Sequence, residues 1–303
     1  MRSGKPMAKF PEGGQLAATA RLFSSSVIHQ MARRGKSPLF SRLVRAASLT
    51  DSIDPTSSIR HVFDVAFRFL AQREFRHEYV YKAAIAHKVL LGTHSLRTAS
   101  MLSEYRVGAC KADVVILNGT STVYEIKSER DRLDRLQTQI PEYLKVFASV
   151  NVISGENHVR AVLDRVPTEV GVMVLTERFR ISTIREAINE PARIVPSVLF
   201  DSLRVHEARR VLEKAGVHVP VAPNTLQRRL LRERFAALDS RVAHDATVSV
   251  LRAARTLTPL GELVEALPDS LRAAVLAARL RKQDHDRLLS AVNTPLNSAL
   301  GWS

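Results

Sequence analysis

The segment Lys111–Tyr143, KADVVILNGTSTVYEIKSERDRLDRLQTQIPEY, constrains the fold more than any other part of the chain. Val114 to Leu117 is a short apolar run, which predicts a strand buried on both faces. Asn118-Gly119 predicts a tight hairpin turn, and Ser121 to Lys127 is a second β-rich run. A polar helix is predicted from about Asp131, with Leu133, Leu136, Ile140 and Leu144 at helical spacing. Pro141 interrupts that pattern and predicts a kink or a restart.

The second strand breaks its own apolar pattern. Side chains alternate along a strand, so Glu125 and Lys127 share a face while Ile126 is expected to point into the core. Asp113 opens the neighbouring strand and is placed to stand beside Glu125. Two carboxylates that close repel each other unless a cation lies between them. Hard oxygen donors of this kind suit Mg²⁺ or Mn²⁺. Taken alone, Glu125-Ile126-Lys127 reads better as a cross-strand ion pair on a solvated edge; joined to Asp113 and the downstream helix, catalysis is the better reading.

Asp113 followed by Glu125-Ile126-Lys127 resembles the motif of the PD-(D/E)XK nuclease superfamily, with Ala112 where the name-giving proline would stand. Gln139-Ile140-Pro141-Glu142-Tyr143 is similar to the Gln-x-x-x-Tyr motif of its RecB-like branch. Arg76 to Lys82, with Glu78, resembles the superfamily's first core helix. The run from about Leu16 to Leu212 also resembles a bacterial and phage-borne family of unassigned function grouped with these nucleases. The resemblance implies an α/β, restriction-endonuclease-like sandwich core with a mixed sheet. It also implies a Mg²⁺- or Mn²⁺-dependent phosphodiester hydrolase. On that reading Asp113, Glu125, Lys127, Gln139 and Tyr143 form the catalytic group. Glu78, Asp113, Glu125 and the carbonyl of Ile126 hold the metal, with Glu104 as a reserve ligand. Each carboxylate is then removable without loss of the fold. Two alternatives stay open: a nuclease-like module that binds nucleic acid or protein without cutting, and an RNA-cutting effector.

Charge supports a nucleic-acid partner but does not by itself separate DNA, RNA and anionic membrane; on the nuclease resemblance DNA is favoured. The formal net charge is +15, and residues 1–50 hold nine Lys/Arg against the single acid Glu12. Such an excess favours phosphate binding through counterion release. One cysteine, Cys110, excludes internal disulfides and cysteine-built iron–sulfur or zinc sites; it reads as a small core residue. No apolar run is long enough to span a bilayer, and a cytoplasmic protein is expected.

Three regions are predicted: a basic arm over 1–50, disordered at first and then helical; a nuclease-like core over 51–181; and a mainly helical region over 182–303. Within them, helices are expected over Gln15–Met31, Ser41–Ala47, Arg60–Leu91 (single or in tandem) and Ala99–Glu104, with a strand at Tyr105–Ala109. Val170–Leu175 predicts a buried strand. Ser24 to Ser26 and His29 read as surface. From Thr225 the stripe Leu226, Leu230, Leu231, Phe235 and Leu238 predicts a helix. Its other side carries Arg228, Arg229, Arg232 and Arg234, a solvated face or, less favoured, a nucleic-acid contact.

Overall fold

The computed structural model describes residues 13–219 and 223–303. The predicted disorder of residues 1–14 and the break at Pro220 therefore lie largely outside the described residues. The chain divides into two compact units, residues 80–262 and residues 1–79 with 263–303.

The unit of residues 80–262 is built on one six-stranded sheet with strands in chain order. They are β1 (Ser100–Val107), β2 (Cys110–Leu117), β3 (Ser121–Lys127), β4 (Ser149–Ser154), β5 (Gly171–Leu175) and β6 (Ile181–Arg185). Pairing is antiparallel from β1 to β3, parallel from β3 to β5, and antiparallel again at β6. The predicted α/β class and mixed sheet are thus present. Gly119 takes the Asn-Gly turn at φ +103°, a conformation that costs glycine little. Helix α1 (Leu136–Leu144) follows β3, and α2 (Val159–Leu163) lies between β4 and β5. After the sheet come α3 (Pro196–Asp201), α4 (Val205–Lys214), α5 (Asn224–Ala236) and α6 (Ser240–Ala254).

Three local expectations change. Of residues 99–104, expected as a helix, all but Ala99 belong to β1. Met101, Leu102 and Tyr105 fit a helical stripe, but both faces of this strand are partly covered, which hides the period-two alternation. Helix α1 starts at Leu136 rather than near Asp131. The Asp131 carboxylate accepts hydrogen bonds from the Ser128 N–H and Oγ, each at 2.7 Å, and holds the intervening chain in a turn. Pro141 leaves α1 unbroken.

The other unit is helical. Its front holds Gly13–Arg21, Ser25–Arg34, Pro38–Ala46 and Ile59–Leu70. The single helix expected over Gln15–Met31 breaks at Ser24, which has an extended backbone before the second helix. Serine favours helix ends over interiors. Val27, Ile28, Met31 and Ala32 are fully buried, and their helix packs on Asp269–Ala278 and His285–Val292. Backbone bonds from Ile59 N–H to the Thr294 carbonyl (2.9 Å) and from Leu296 N–H to the Ser57 carbonyl (2.8 Å) join front to back. The front of the chain, from residue 13, is therefore a structural partner of the last helices rather than an arm. Helical periodicity identifies which face is buried, not what it is buried against.

Candidate active site

Pairing of β2 with β3 runs from Leu117–Ser121 to Val114–Tyr124 and stops there. One residue further on, the Asp113 carboxylate accepts the Ile126 N–H at 2.8 Å. A side chain has taken the role of a ladder carbonyl, and this end of the hairpin is polar.

On the face that carries Val123, β3 continues with Glu125 and Lys127. Helix α1 covers that face, and Val123, Leu136, Ile140 and Tyr143 share one core cluster. Glu125 and Lys127 are therefore buried, at 2% and 6% exposure. A buried ion pair is tolerable only when its remaining polar valences are satisfied, and here they close into a ring. The Lys127 ammonium donates to Glu125 Oε1 at 2.7 Å and to Gln139 Oε1 at 3.1 Å. Gln139 Nε2 donates to Tyr143 Oη at 3.3 Å. The Tyr143 hydroxyl donates to Glu125 Oε2 at 2.9 Å and also lies 3.1 Å from the Lys111 carbonyl. Four of the five predicted catalytic residues thus meet in one network. The i, i+4 spacing of Gln139 and Tyr143 survives Pro141 and puts both side chains on the buried face of α1.

Burial raises the Tyr143 pKa strongly, and the Glu125 charge, its hydrogen bond and the Asp113 charge push the same way. Tyr143 is accordingly a neutral donor, not a base. Cys110 is also shifted upward, by burial and then by Glu142 and Glu125. That suits the expected core role and not a nucleophile.

The carboxylates divide differently from expectation. Glu125 faces Lys127 and Tyr143. Asp113 instead has a carboxylate oxygen within 4.8 Å of one on Glu104, which stands opposite it between the β1–β2 pairs Ser103–Val114 and Tyr105–Ala112. Octahedral Mg²⁺ places opposite ligand oxygens about 4.2 Å apart, so this spacing and donor chemistry fit a hard cation. Glu104 has φ +56°, a left-handed conformation that costs a non-glycine residue about 1–3 kcal/mol. Lys82 and Lys111 both pair with its carboxylate, Lys111 at 2.6 Å. Burial raises the Glu104 pKa, but the two ammonium groups outweigh it and leave the group below its ordinary value. From the sequence Glu104 is only a reserve ligand. Read as a strand, residues 100–107 folded back on 110–117 would have placed it opposite Asp113. Glu78 opens the helix Glu78–Ile85, whose later residues enter this unit. Ile126, expected to face the core, is buried at 3% on the face of β3 opposite Glu125 and Lys127.

The arginine face of α5 is partly occupied. Arg232 pairs with Asp201 at 3.1 Å, Arg228 with the same carboxylate at 3.6 Å, and the Arg228 guanidinium lies 5.0 Å from the Phe200 ring centre.

Fold and site define an α/β protein with a charged, hydrogen-bonded centre where its β2–β3 hairpin opens. A family profile described as "Bacteriophage P4 protein cII" matches residues 71–258, more than half of the chain. The chain belongs to that family and is phage-related. No curated protein matches it. Among solved structures, a protein of unknown function from Silicibacter pomeroyi, SPO1766, is 19% identical over 45% of this chain and 91% of that chain, with a TM-score of 0.32. Among the described residues no helix is long and apolar enough to cross a membrane.

Proposed function

We propose that this protein is a metal-dependent nuclease of the PD-(D/E)XK type, acting on DNA. The observation that carries the reading is the convergence of Glu125, Lys127, Gln139 and Tyr143 beside Asp113. A core strand has no packing reason to bury two charges, and a helix would need no glutamine and tyrosine on its apolar face. The residues fit Mg²⁺ or Mn²⁺: Asp113 and Glu104 offer oxygens at a suitable spacing. When bound, such an ion supplies charge neutralisation at the phosphate and makes water more acidic. Lys127 has three N–H donors, of which two are used in the ring; the third is available to a water or a phosphoryl oxygen. Gln139 and Tyr143 fix the positions of Lys127 and Glu125, so the ammonium is placed before substrate arrives. Glu125 balances the lysine's charge through their 2.7 Å ion pair. Asp113, less buried, provides negative charge at the mouth of the site.

Metal binding gives a test independent of turnover. Mn²⁺ is expected to raise the melting temperature of the wild type, following RT ln(1 + [L]/Kd). Asp113→Asn should lose that shift while melting near wild type without metal. Equal Mn²⁺ shifts in both proteins would remove Asp113 from the site.

A further inference from the structure

We propose that Glu104 is a built-in phosphate mimic: its carboxylate stores the Lys82 and Lys111 ammonium groups, which pass to a DNA phosphate when the duplex binds. The inference rests on the nuclease reading and adds two positioning residues to it.

Glu104 holds both lysines at once, Lys82 on Oε1 and Lys111 on Oε2. One carboxylate carrying an ammonium on each oxygen reproduces how two lysines would grip a phosphodiester, whose two unesterified oxygens share a single negative charge. The three residues come from different segments: Lys82 from the helix Glu78–Ile85, Glu104 from β1 and Lys111 from β2. The arrangement is therefore a product of the fold and not of helical i, i+4 pairing. It also lies beside the Asp113 carboxylate, where a scissile phosphate would have to sit.

The backbone supplies the second observation. Glu104 interrupts a regular antiparallel ladder with φ +56°, although neighbouring pairs keep the same register on either side. The exposed Lys111 pair repays little, typically below about 1 kcal/mol, while Lys82 is 19% exposed in its side chain. Such a poise makes exchange of Glu104 for a stronger anion easy. Lys111 is 60% exposed and Glu104 42% exposed in their side chains, so solvent and a polyanion both reach the pair. Phosphate contacts position a nucleic acid without reading its sequence, so this grip serves placement rather than specificity.

The test is a double-mutant cycle on binding of a labelled blunt DNA duplex of about 20 base pairs, in EDTA so that loss of a metal donor does not enter, across a salt series. Glu104→Gln should tighten binding about two- to tenfold, the scale of releasing surface ion pairs such as Lys111–Glu104. Lys82→Gln/Lys111→Gln should weaken it and flatten the salt slope by about one per lysine. The deciding readout is coupling: in the double-lysine background Glu104→Gln should have no effect. Should Glu104→Gln tighten binding equally in both backgrounds, Glu104 is only a general repulsive charge and the exchange is refuted, with the nuclease reading intact. Absence of duplex binding by wild type and Glu104→Gln alike also refutes it. Thermal melts of each variant confirm that folded protein is compared, and cleavage by wild type reports on the nuclease reading separately.

Discussion

Lys127→Ala is expected to destabilise the sheet-bearing unit by about 3–5 kcal/mol, the usual cost of leaving one partner of a buried ion pair uncompensated. Glu125 is 2% exposed, and after the substitution only the Tyr143 hydroxyl would face its charge. Glu125→Ala should cost a similar amount by stranding the ammonium with Gln139 alone. This replaces the expectation, natural from sequence, that removing Glu125 leaves the fold intact. The sequence suggests two repelling carboxylates; the structure pairs Glu125 with a cation. Replacing both charges with groups of similar volume, as in Glu125→Gln/Lys127→Met, should recover much of the loss, because the desolvation cost disappears with the charges. Urea denaturation of the four proteins measures this directly. If Lys127→Ala unfolds within about 1 kcal/mol of wild type, the pair is not buried as described. For activity the informative substitution is Lys127→Arg, which keeps the charge but brings a longer, forked group. A displacement of about 1 Å at a reacting group costs on the order of 10²-fold in rate.

Deleting residues 1–36 should unfold the helical unit, whereas deleting residues 1–12 removes none of its described core residues. The longer deletion removes Leu22, Phe23, Val27, Ile28 and Met31, all at 5% exposure or less. At about 1.5–3 kcal/mol per buried side chain, their loss matches the entire stability of about 5–15 kcal/mol expected of a domain. The shorter deletion takes Arg2, Lys5 and Lys9 with Glu12 and none of these core residues. Circular dichroism melts of both truncations decide the matter. A cooperative, near-wild-type melt for the longer one would return residues 13–36 to the role of an arm. The shorter one is the cleaner probe of whether the basic front contributes to nucleic-acid affinity.

Much of the central site was legible because it depends on local rules. The apolar run, the Asn-Gly turn and strand alternation put Glu125 and Lys127 on one face, and the i, i+4 spacing delivered Gln139 and Tyr143 to it. Glu104 was hidden by a wrong period: Met101, Leu102 and Tyr105 fit a helix, so its position opposite Asp113 went unseen. The division of labour between Glu125 and Asp113 was also invisible. It depends on α1 covering one face of β3, which buries Glu125 with Lys127 while leaving Asp113 half-buried. Nor could periodicity reveal that the front helices pair with the last ones, a contact between segments more than two hundred residues apart.

Cleavage itself is the decisive measurement: labelled linear duplex DNA incubated with Mg²⁺ and either wild type or Asp113→Asn, the two matched for folded fraction by their melts. Wild type should cut in Mg²⁺ and not in EDTA, and Asp113→Asn should lose at least about 10²-fold in rate. Equal cleavage by the two proteins, or intact DNA in every lane despite duplex binding, would contradict a nuclease and leave the Lys127–Glu125–Tyr143–Gln139 ring as a structural network.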